Sequence, residues 1–572
     1  MSLSMVLCDS LEKVFPDQAP RPLNTSIPLV GHAGERTGFQ IALHASRGEQ
    51  YRTLTRPQIR ITTPEGVTAT LSQVELVPVS LPRHPWLETP EYEYLRDADG
   101  FRGPGLFPDL LRPLDPDQPP EVVFEQWTSV WVSLEVDAGT ASADRAVVVE
   151  VTEDDGSAAG GGDDAIGPES FRAEIPLLTV GGRLPELGIV NTHWFHCDGL
   201  VQFYDLEPFT ERYWDVIGNF LRAAARMSVN SVLTPVWTPP VDTAVGSTRL
   251  PSQLLGITDA GGGTYTFDTS RLERWLQIAR EVGIHHLELP HLFTQWGARA
   301  TPAIYVDTPT GTEQRFGWHV PATDPSYRAL LEQMIPFLRD FLDEHWSGSV
   351  LFHVSDEPGE EHLEDYLAAR EVVLDLLDGA TVVDALSSFA FYERGLVPVP
   401  VASTNHAQPF LDARVDPLWV YYCVSQNQGV SNRFIAQPSA RNRALGTQLF
   451  AAGVQGFLHW GFNFYNNQYS TRPVNPFVDT SAGGVFPGGD PFIVYPGADG
   501  DAQLSIRFEV FEEAMVDHRV GQALEAALGR EQALEVLGVR ADDGFALGDV
   551  TADELRERSA RAARELVGGE AG

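Results

Sequence analysis

The chain has 572 residues, with 79 acidic against 40 basic ones for a formal net charge of -39, and is 43% hydrophobic with 12 Trp, 30 Phe and 15 Tyr. A field of that sign repels polyanions, so nucleic acid and an anionic membrane surface are excluded as expected partners, and the apolar and aromatic content excludes a disordered chain. The length exceeds that of a bare β/α barrel and implies companion domains.

The amino terminus, MSLSMVLCDSLEKVFPD, has no basic segment leading into a long apolar core, and no stretch approaches the ~20 apolar residues that span a membrane, so a cytoplasmic protein is expected. Cys8, Cys197 and Cys423 are odd in number and far apart, the pattern of free thiols rather than of a disulfide framework or a zinc site. Residues 1–183 read as an antiparallel β-sandwich. Val130, Val132, Leu134 and Val136 alternate with Trp131, Ser133 and Glu135 to give one apolar face, and Val74–Leu81 and residues 145–151 read as further strands. Residues 84–115 read as a loop, and DDGSAAGGGDD at 154–164 as a surface tip.

From residue 184 to about 530, short apolar runs alternate with amphipathic segments of helical spacing. Eight runs are predicted as strands: 188–195, 230–237, 285–293, 349–358, 381–388, 397–404, 418–425 and 456–465. Helices fit between most of them, for example over 209–227, 270–283, 327–346 and 440–453. Eight strands with outer helices predict a (β/α)8, TIM-like barrel. Residues 531–572 are expected to form a C-terminal helical tail with a frayed GGEAG end.

Catalytic groups in such barrels stand at the carboxyl ends of the strands. The polar and aromatic residues that fall there are His193, Trp194, His196 and Asp198 after the first strand, Trp237 and Asp242 after the second, and His291, Gln295 and Trp296 after the third. His353, Asp356 and Glu357 follow the fourth, Asn405 and His406 the sixth, Tyr421 and Tyr422 lie on the seventh, and His459, Trp460 and Asn463 on the eighth. Aromatic faces between carboxylates and amides suit a sugar, whose C–H faces stack on rings while its hydroxyls take directed hydrogen bonds.

Within HVSDEP, Asp356 and Glu357 are the catalytic candidates, because glycosidic cleavage needs a proton donor and a negative partner. Strand alternation alone puts His353, Ser355 and Glu357 on the barrel side and Asp356 on the other, unless the chain has begun to turn, which Pro358 favours. A bare Asp-Glu pair also reads as a helix cap or a solvated loop. Glu288 reads as a buried acid paired with His or Arg, with a second catalytic carboxylate as its other reading. Neither the His193/His196 pair nor the His285, His286 and His291 cluster has a zinc spacing, and Gly261–Gly263 lacks the rest of a phosphate loop, so no metal and no cofactor are expected.

The stretches GLFPDLL (105–111), HWFHCDGL (193–200), LTPVWTPPVDTAVG (233–246), HLFTQWGA (291–298), FHVSDEP (352–358), LHWGFNFY (458–465), VYPG (494–497) and SIRFE (505–509) together give the chain a resemblance. It resembles the domain-of-unknown-function 4091 proteins, which are related to glycoside hydrolase family 123, the β-N-acetylgalactosaminidases. The resemblance implies a sandwich followed by a barrel, and retaining, substrate-assisted hydrolysis of a terminal 2-acetamido sugar on short glycans. Glu357 would then be the general acid/base and Asp356 would orient the acetamido group. Tyr421 or Tyr422 would bond its oxygen, and Trp237 and Trp460 would wall its methyl group. Two other readings stand beside it: a retaining glycosidase on a galactoside, glucoside or arabinoside with a protein nucleophile, and a non-catalytic carbohydrate-binding barrel. The sandwich is expected to serve as a lid or as the contact of a homo-oligomer.

Overall fold

The computed structural model describes residues 2–46, 53–82, 96–97, 100–101, 103–115, 118–153 and 170–570. In the amino-terminal part, a five-stranded sheet runs in the order Ser2–Asp9, Arg36–Ser46, Trp127–Val136, Val67–Val79, Gly105–Pro113. A four-stranded sheet runs Leu29–His32, Ser170–Val180, Ala143–Thr152, Gln58–Thr62. Phe39, Ile41, Val130, Val132 and Leu134 of the first share one core with Val147, Val149, Val151, Ile175 and Leu177 of the second. The pairing is antiparallel except at one edge, where Leu29–His32 runs parallel to Leu177–Val180. The alternating strand 127–136 is buried on its second face as well, where Trp131 packs with Ile506 and Val510 of a carboxyl-terminal helix.

The expected loop at 84–115 is corrected in part: Gly105–Pro113 is an edge strand. Pro108 is tolerated because an edge strand can forgo a ladder donor. The register shifts where Glu75 faces Leu110 and Leu76 faces Pro108, which leaves Asp109 without an opposite residue, its side chain fully buried. Residues 84–95 and the tip at 154–164 lie outside the described residues.

Eight parallel strands close into a barrel: β1 Val190–His193, β2 Ser231–Leu233, β3 His286–His291, β4 Val350–His353, β5 Thr381–Leu386, β6 Val399–Ser403, β7 Trp419–Tyr421 and β8 Gly456–His459. Each lies within one of the eight apolar runs, and β8 pairs back onto β1. A helix comes after each of these eight strands, from five residues at Phe389–Glu393 and Gln408–Asp412 to 23 at Ile506–Leu528. The longer ones are α1 Glu211–Arg226, α2 Ser270–Val282, α3 Pro325–His345, α4 Ser439–Ala452, α5 Ile506–Leu528 and α6 Ala552–Glu570. Their starts follow local chemistry: Thr210 Oγ1 accepts from Tyr213 N, Asp324 caps a helix with Pro at its first position, and Ser505 Oγ accepts from Phe508 N. No helix among the described residues is long and apolar enough to cross a membrane.

The β2 and β3 loops carry a sheet that the apolar pattern does not reveal, in the order Thr264–Asp268, Gly256–Gly261, Ile304–Thr308, Gly311–Phe316. Its first hairpin turns at Gly261, Gly262 and Gly263, all at positive φ, so the glycine run is a turn, as its sequence suggests.

The sandwich is joined to the barrel by a buried ion pair. Arg507 of α5 donates to Asp109 Oδ1 and Oδ2 at 2.8 and 2.9 Å, and Tyr495 Oη donates to Oδ2 at 2.6 Å. Three of the motifs quoted above thus meet outside the cavity and hold two parts of the molecule together. Close helix packing does the same on the barrel's flank: a Cβ at Gly446 of α4 would lie 1.8 Å from the Ala514 carbonyl oxygen of α5. Gly446→Ala is therefore expected to cost about 2–3 kcal/mol, measured as a drop in melting temperature. An unchanged melting temperature would mean that the two helices can separate freely.

Candidate active site

Strand β4 ends at His353, and the chain bends before Pro358 with Glu357 at φ +42. The bend brings both acids to one cavity of about 240 Å³, lined also by Trp194, Val241, Asp242, Gln295, Trp296, Ala385, Tyr421, Cys423, Val424, Ser425, Leu458, Trp460, Gln468 and Phe486. A regular strand would have turned Asp356 away from Glu357, so this turn is what creates the pair. No residue of the sandwich lines the cavity among the described residues.

Eight of the residues singled out from the sequence meet here: Trp194, Asp242, Gln295, Trp296, Asp356, Glu357, Tyr421 and Trp460. Tyr421 Oη donates to Glu357 Oε1 at 2.5 Å. Burial pushes both acids of the pair upward, and Asp356 is raised further by the charge of Glu357, whereas the Tyr421 hydroxyl favours ionised Glu357. Two adjacent carboxyls in such a site retain one proton between them to higher pH than either would alone. Asp242 is pushed up to about 6 by burial, against the backbone N–H of Tyr469.

Apart from Asn405 and His406, the other candidates stand behind the cavity wall, and this corrects their expected place at the mouth. His193 faces outward onto Phe511 of α5, and its Nδ1 accepts from Arg433. Arg433 also donates to His459 Nδ1 at 2.7 Å. Tyr422 points the same way, its ring against Phe457 and His459, while its neighbour Tyr421 faces the cavity. His196 is buried and neutral: burial first, then Arg249, lower it to about 3. Asp198 takes two hydrogen bonds from Arg249 at 2.9 and 2.5 Å, and Asn463 bonds both the N–H and the carbonyl of His196. Trp237 is buried and donates to the His291 carbonyl at 3.0 Å, so it rivets the β2 loop to β3 rather than walling the cavity. Asn405 and His406 are exposed on a turn, with Asn405 Oδ1 accepting from Gln426.

Below the cavity lies a charged core. His353 Nε2 is 2.7 Å from Glu288 Oε1, and its Nδ1 lies 3.6 Å from Asp384 Oδ1, an ion-pair distance rather than a hydrogen bond. Burial alone would lower His353, but Asp384 and Glu288 outweigh it and hold the ring up at about 9. Glu288 also accepts from Thr192 Oγ1 and from Trp194 Nε1, so it is the buried, paired acid of the first reading and fixes a cavity wall. Asp384 accepts from Val354 N at 2.9 Å and from Tyr366 Oη at 2.7 Å, which ties the end of β4 to β5. The His291 ring lies tilted against that of His353, 4.4 Å between ring centres. Among the described residues no group of three or more His, Cys, Asp and Glu could hold a metal ion.

Asp490, which no motif singled out, sits behind Trp460 and accepts from its Nε1 at 3.0 Å; burial pushes it up to about 7, against Arg433. A raised acid binds its proton more tightly in the folded chain, so its stability contribution is present below the unfolded carboxyl value near 4 and is lost as pH rises through 7. Asp490→Asn is therefore expected to raise stability at pH 8 by about 1–4 kcal/mol and to change it little at pH 4. Thermal unfolding at the two pH values tests this, and equal shifts at both would contradict it.

The glycoside hydrolase 123 catalytic domain matches residues 194–524, more than half of the chain. Among solved structures, a family 123 glycoside hydrolase from Clostridium perfringens, described for glycolipid glycan hydrolysis, superposes with a TM-score of 0.71 at 12% identity, covering 100% of this chain and 98% of that one. It shares the fold. A Bifidobacterium dentium β-glucuronidase covers 90% of this chain and 66% of its own at 9% identity, with a TM-score of 0.29 that carries no argument. No curated protein sequence matches. With its acid pair on a closed eight-stranded barrel, the chain is a glycoside hydrolase and belongs to glycoside hydrolase family 123.

Proposed function

We propose that the protein removes a terminal 2-acetamido sugar, of the β-N-acetylgalactosaminide kind, from short glycans or glycosides by exo-acting, retaining, substrate-assisted hydrolysis. In this reading the catalytic unit is a (β/α)8, TIM-like barrel over residues 184–530, with the sandwich (1–183) and the helical tail (531–572) as companions. The motifs quoted above support a narrower place among the domain-of-unknown-function 4091 proteins. The observation that carries the reading is the adjacent pair Asp356 and Glu357 opening together on a small cavity whose walls include Trp194, Ala385, Leu458 and Trp460. Its 240 Å³ falls below the ~300–1,000 Å³ of sites for drug-sized ligands, room for one pyranose ring with an apolar corner for a methyl group.

In the first step the acetamido carbonyl oxygen attacks the anomeric carbon while Glu357 gives its proton to the departing glycosidic oxygen. Asp356 accepts a hydrogen bond from the acetamido N–H and stabilises the positive charge that develops on the closing ring. That N–H favours ionised Asp356, so binding of substrate moves the shared proton of the pair onto Glu357, where it is needed. In the second step Glu357 takes a proton from water as the water attacks the same carbon and reopens the ring, which restores the original anomer. Tyr421, with its hydroxyl on Glu357 Oε1, orients the acid so that the other oxygen faces the leaving group.

A panel of aryl glycosides, each plain sugar paired with its 2-acetamido counterpart, tests the reading, together with inhibition by a thiazoline analogue. Cleavage confined to the acetamido sugars is expected. Cleavage of plain sugars would overturn it in favour of a protein nucleophile. Asp242 is then the residue to examine, since among the described residues it is the one further carboxylate on the cavity and Glu288 is not on it.

A further inference from the structure

We infer that Trp296 and Tyr469 form a second sugar subsite at the rim of the cavity, an edge-to-face platform where the leaving-group sugar stacks on one ring and lies against the edge of the other. The inference rests on the exo-acting reading above: if one pyranose ring fills the cavity, the rest of the substrate leaves through its mouth.

Trp296 lines the cavity and is 40% exposed, and Tyr469 is 39% exposed beside it, their ring centres 5.8 Å apart at an interplanar angle of 83°. Among the described residues these are the two aromatic rings that stand out as exposed large hydrophobics, and they stand together. A pyranose presents apolar C–H faces, and an exposed ring at a sugar-sized mouth is a surface to match them.

The two rings are held in place from below. Trp296 N donates to the Asp356 carbonyl at 3.0 Å, so this side of the platform is fixed to the acid pair itself. Tyr469 N donates to Asp242 Oδ2 at 3.1 Å, Ser470 Oγ to the Asp242 carbonyl at 2.7 Å, and Ala244 N to the Tyr469 carbonyl at 3.0 Å. Asp242 in turn lines the cavity. Trp296 and Tyr469 both have left-handed backbones, φ +54 and +64, which bulky residues rarely adopt. Strain of this kind persists where surrounding contacts enforce it, and here both strained residues are those that present a ring to solvent.

The test compares kcat and KM for two substrates with the same terminal sugar, a disaccharide and the methyl glycoside, in wild type, Trp296→Ala, Trp296→Phe and Tyr469→Ala. The terminal sugar is whichever one the glycoside panel finds cleaved, so a wrong sugar in the proposed function leaves this comparison intact. The ratio of kcat/KM between disaccharide and methyl glycoside is expected to fall about tenfold in each Ala variant, through KM, and to recover in Trp296→Phe. Equal losses on both substrates would overturn the inference and make Trp296 a wall of the first sugar site. An unchanged ratio in both Ala variants would overturn it too. So would a larger loss on an octyl glycoside than on the disaccharide, which would make the platform a site for an apolar aglycone.

Discussion

Glu357→Gln is expected to lower kcat on a glycoside with a poor leaving group by about 10²–10⁴-fold while the fold is retained. The amide keeps the shape of the side chain, and its carbonyl can still accept from the Tyr421 hydroxyl that now meets Glu357 Oε1 at 2.5 Å. It also removes a carboxyl that burial disfavours in its charged form and whose charge raises Asp356, so the melting temperature holds or rises. What is lost is the proton. A dinitrophenyl glycoside, whose leaving group needs little protonation, is expected to retain far more activity than an alkyl glycoside, and the alkaline limb of its pH profile for kcat/KM to disappear. A variant fully active on alkyl glycosides would remove Glu357 from the acid role.

The second large effect lies outside the cavity. Arg507→Met is expected to destabilise the protein by about 3–5 kcal/mol, because it takes the guanidinium from buried Asp109 and leaves that carboxylate only the Tyr495 hydroxyl and the charge of Lys13. Arg507 also donates to the Gly489 and Phe492 carbonyls at 2.7 and 2.8 Å, in the β8 loop that carries Phe486 to the cavity, so activity is expected to fall along with stability. Replacing Asp109 with Leu in the same chain removes that carboxylate and is expected to restore much of the loss. Thermal unfolding of the single and double variants measures both, and a single variant as stable as wild type would contradict the account of this junction.

The barrel was legible because each strand is a short apolar run between helical segments, and every one of the eight runs holds its strand. The direction in which adjacent residues face was not. Parallel strands are buried on both sides, so apolar content does not phase them, and β7 is only Trp419–Tyr421. Hence Tyr421 and Tyr422, Trp194 and His193, and Trp460 and His459 looked equivalent in sequence, yet one of each pair lines the cavity and the other faces Arg433 or the outer helices. Gln468 and Phe486 were missed for a different reason. They arrive on long loops whose course depends on remote contacts, such as Gly488 N on the Leu81 carbonyl and Thr480 Oγ1 on the Pro78 carbonyl, which no local pattern encodes. Asp356 faces the cavity through a bend, with the next residue at φ +42, and Pro358 was the one sequence signal of it.

In the proposed reaction the substrate's own acetamido oxygen is the nucleophile. The direct measurement is kcat/KM for one aryl glycoside with its 2-acetamido group bearing zero, one, two and three fluorine atoms, each of which weakens that oxygen. A steep fall across the series is the predicted result; rates independent of fluorination would contradict the account and require a nucleophile from the protein.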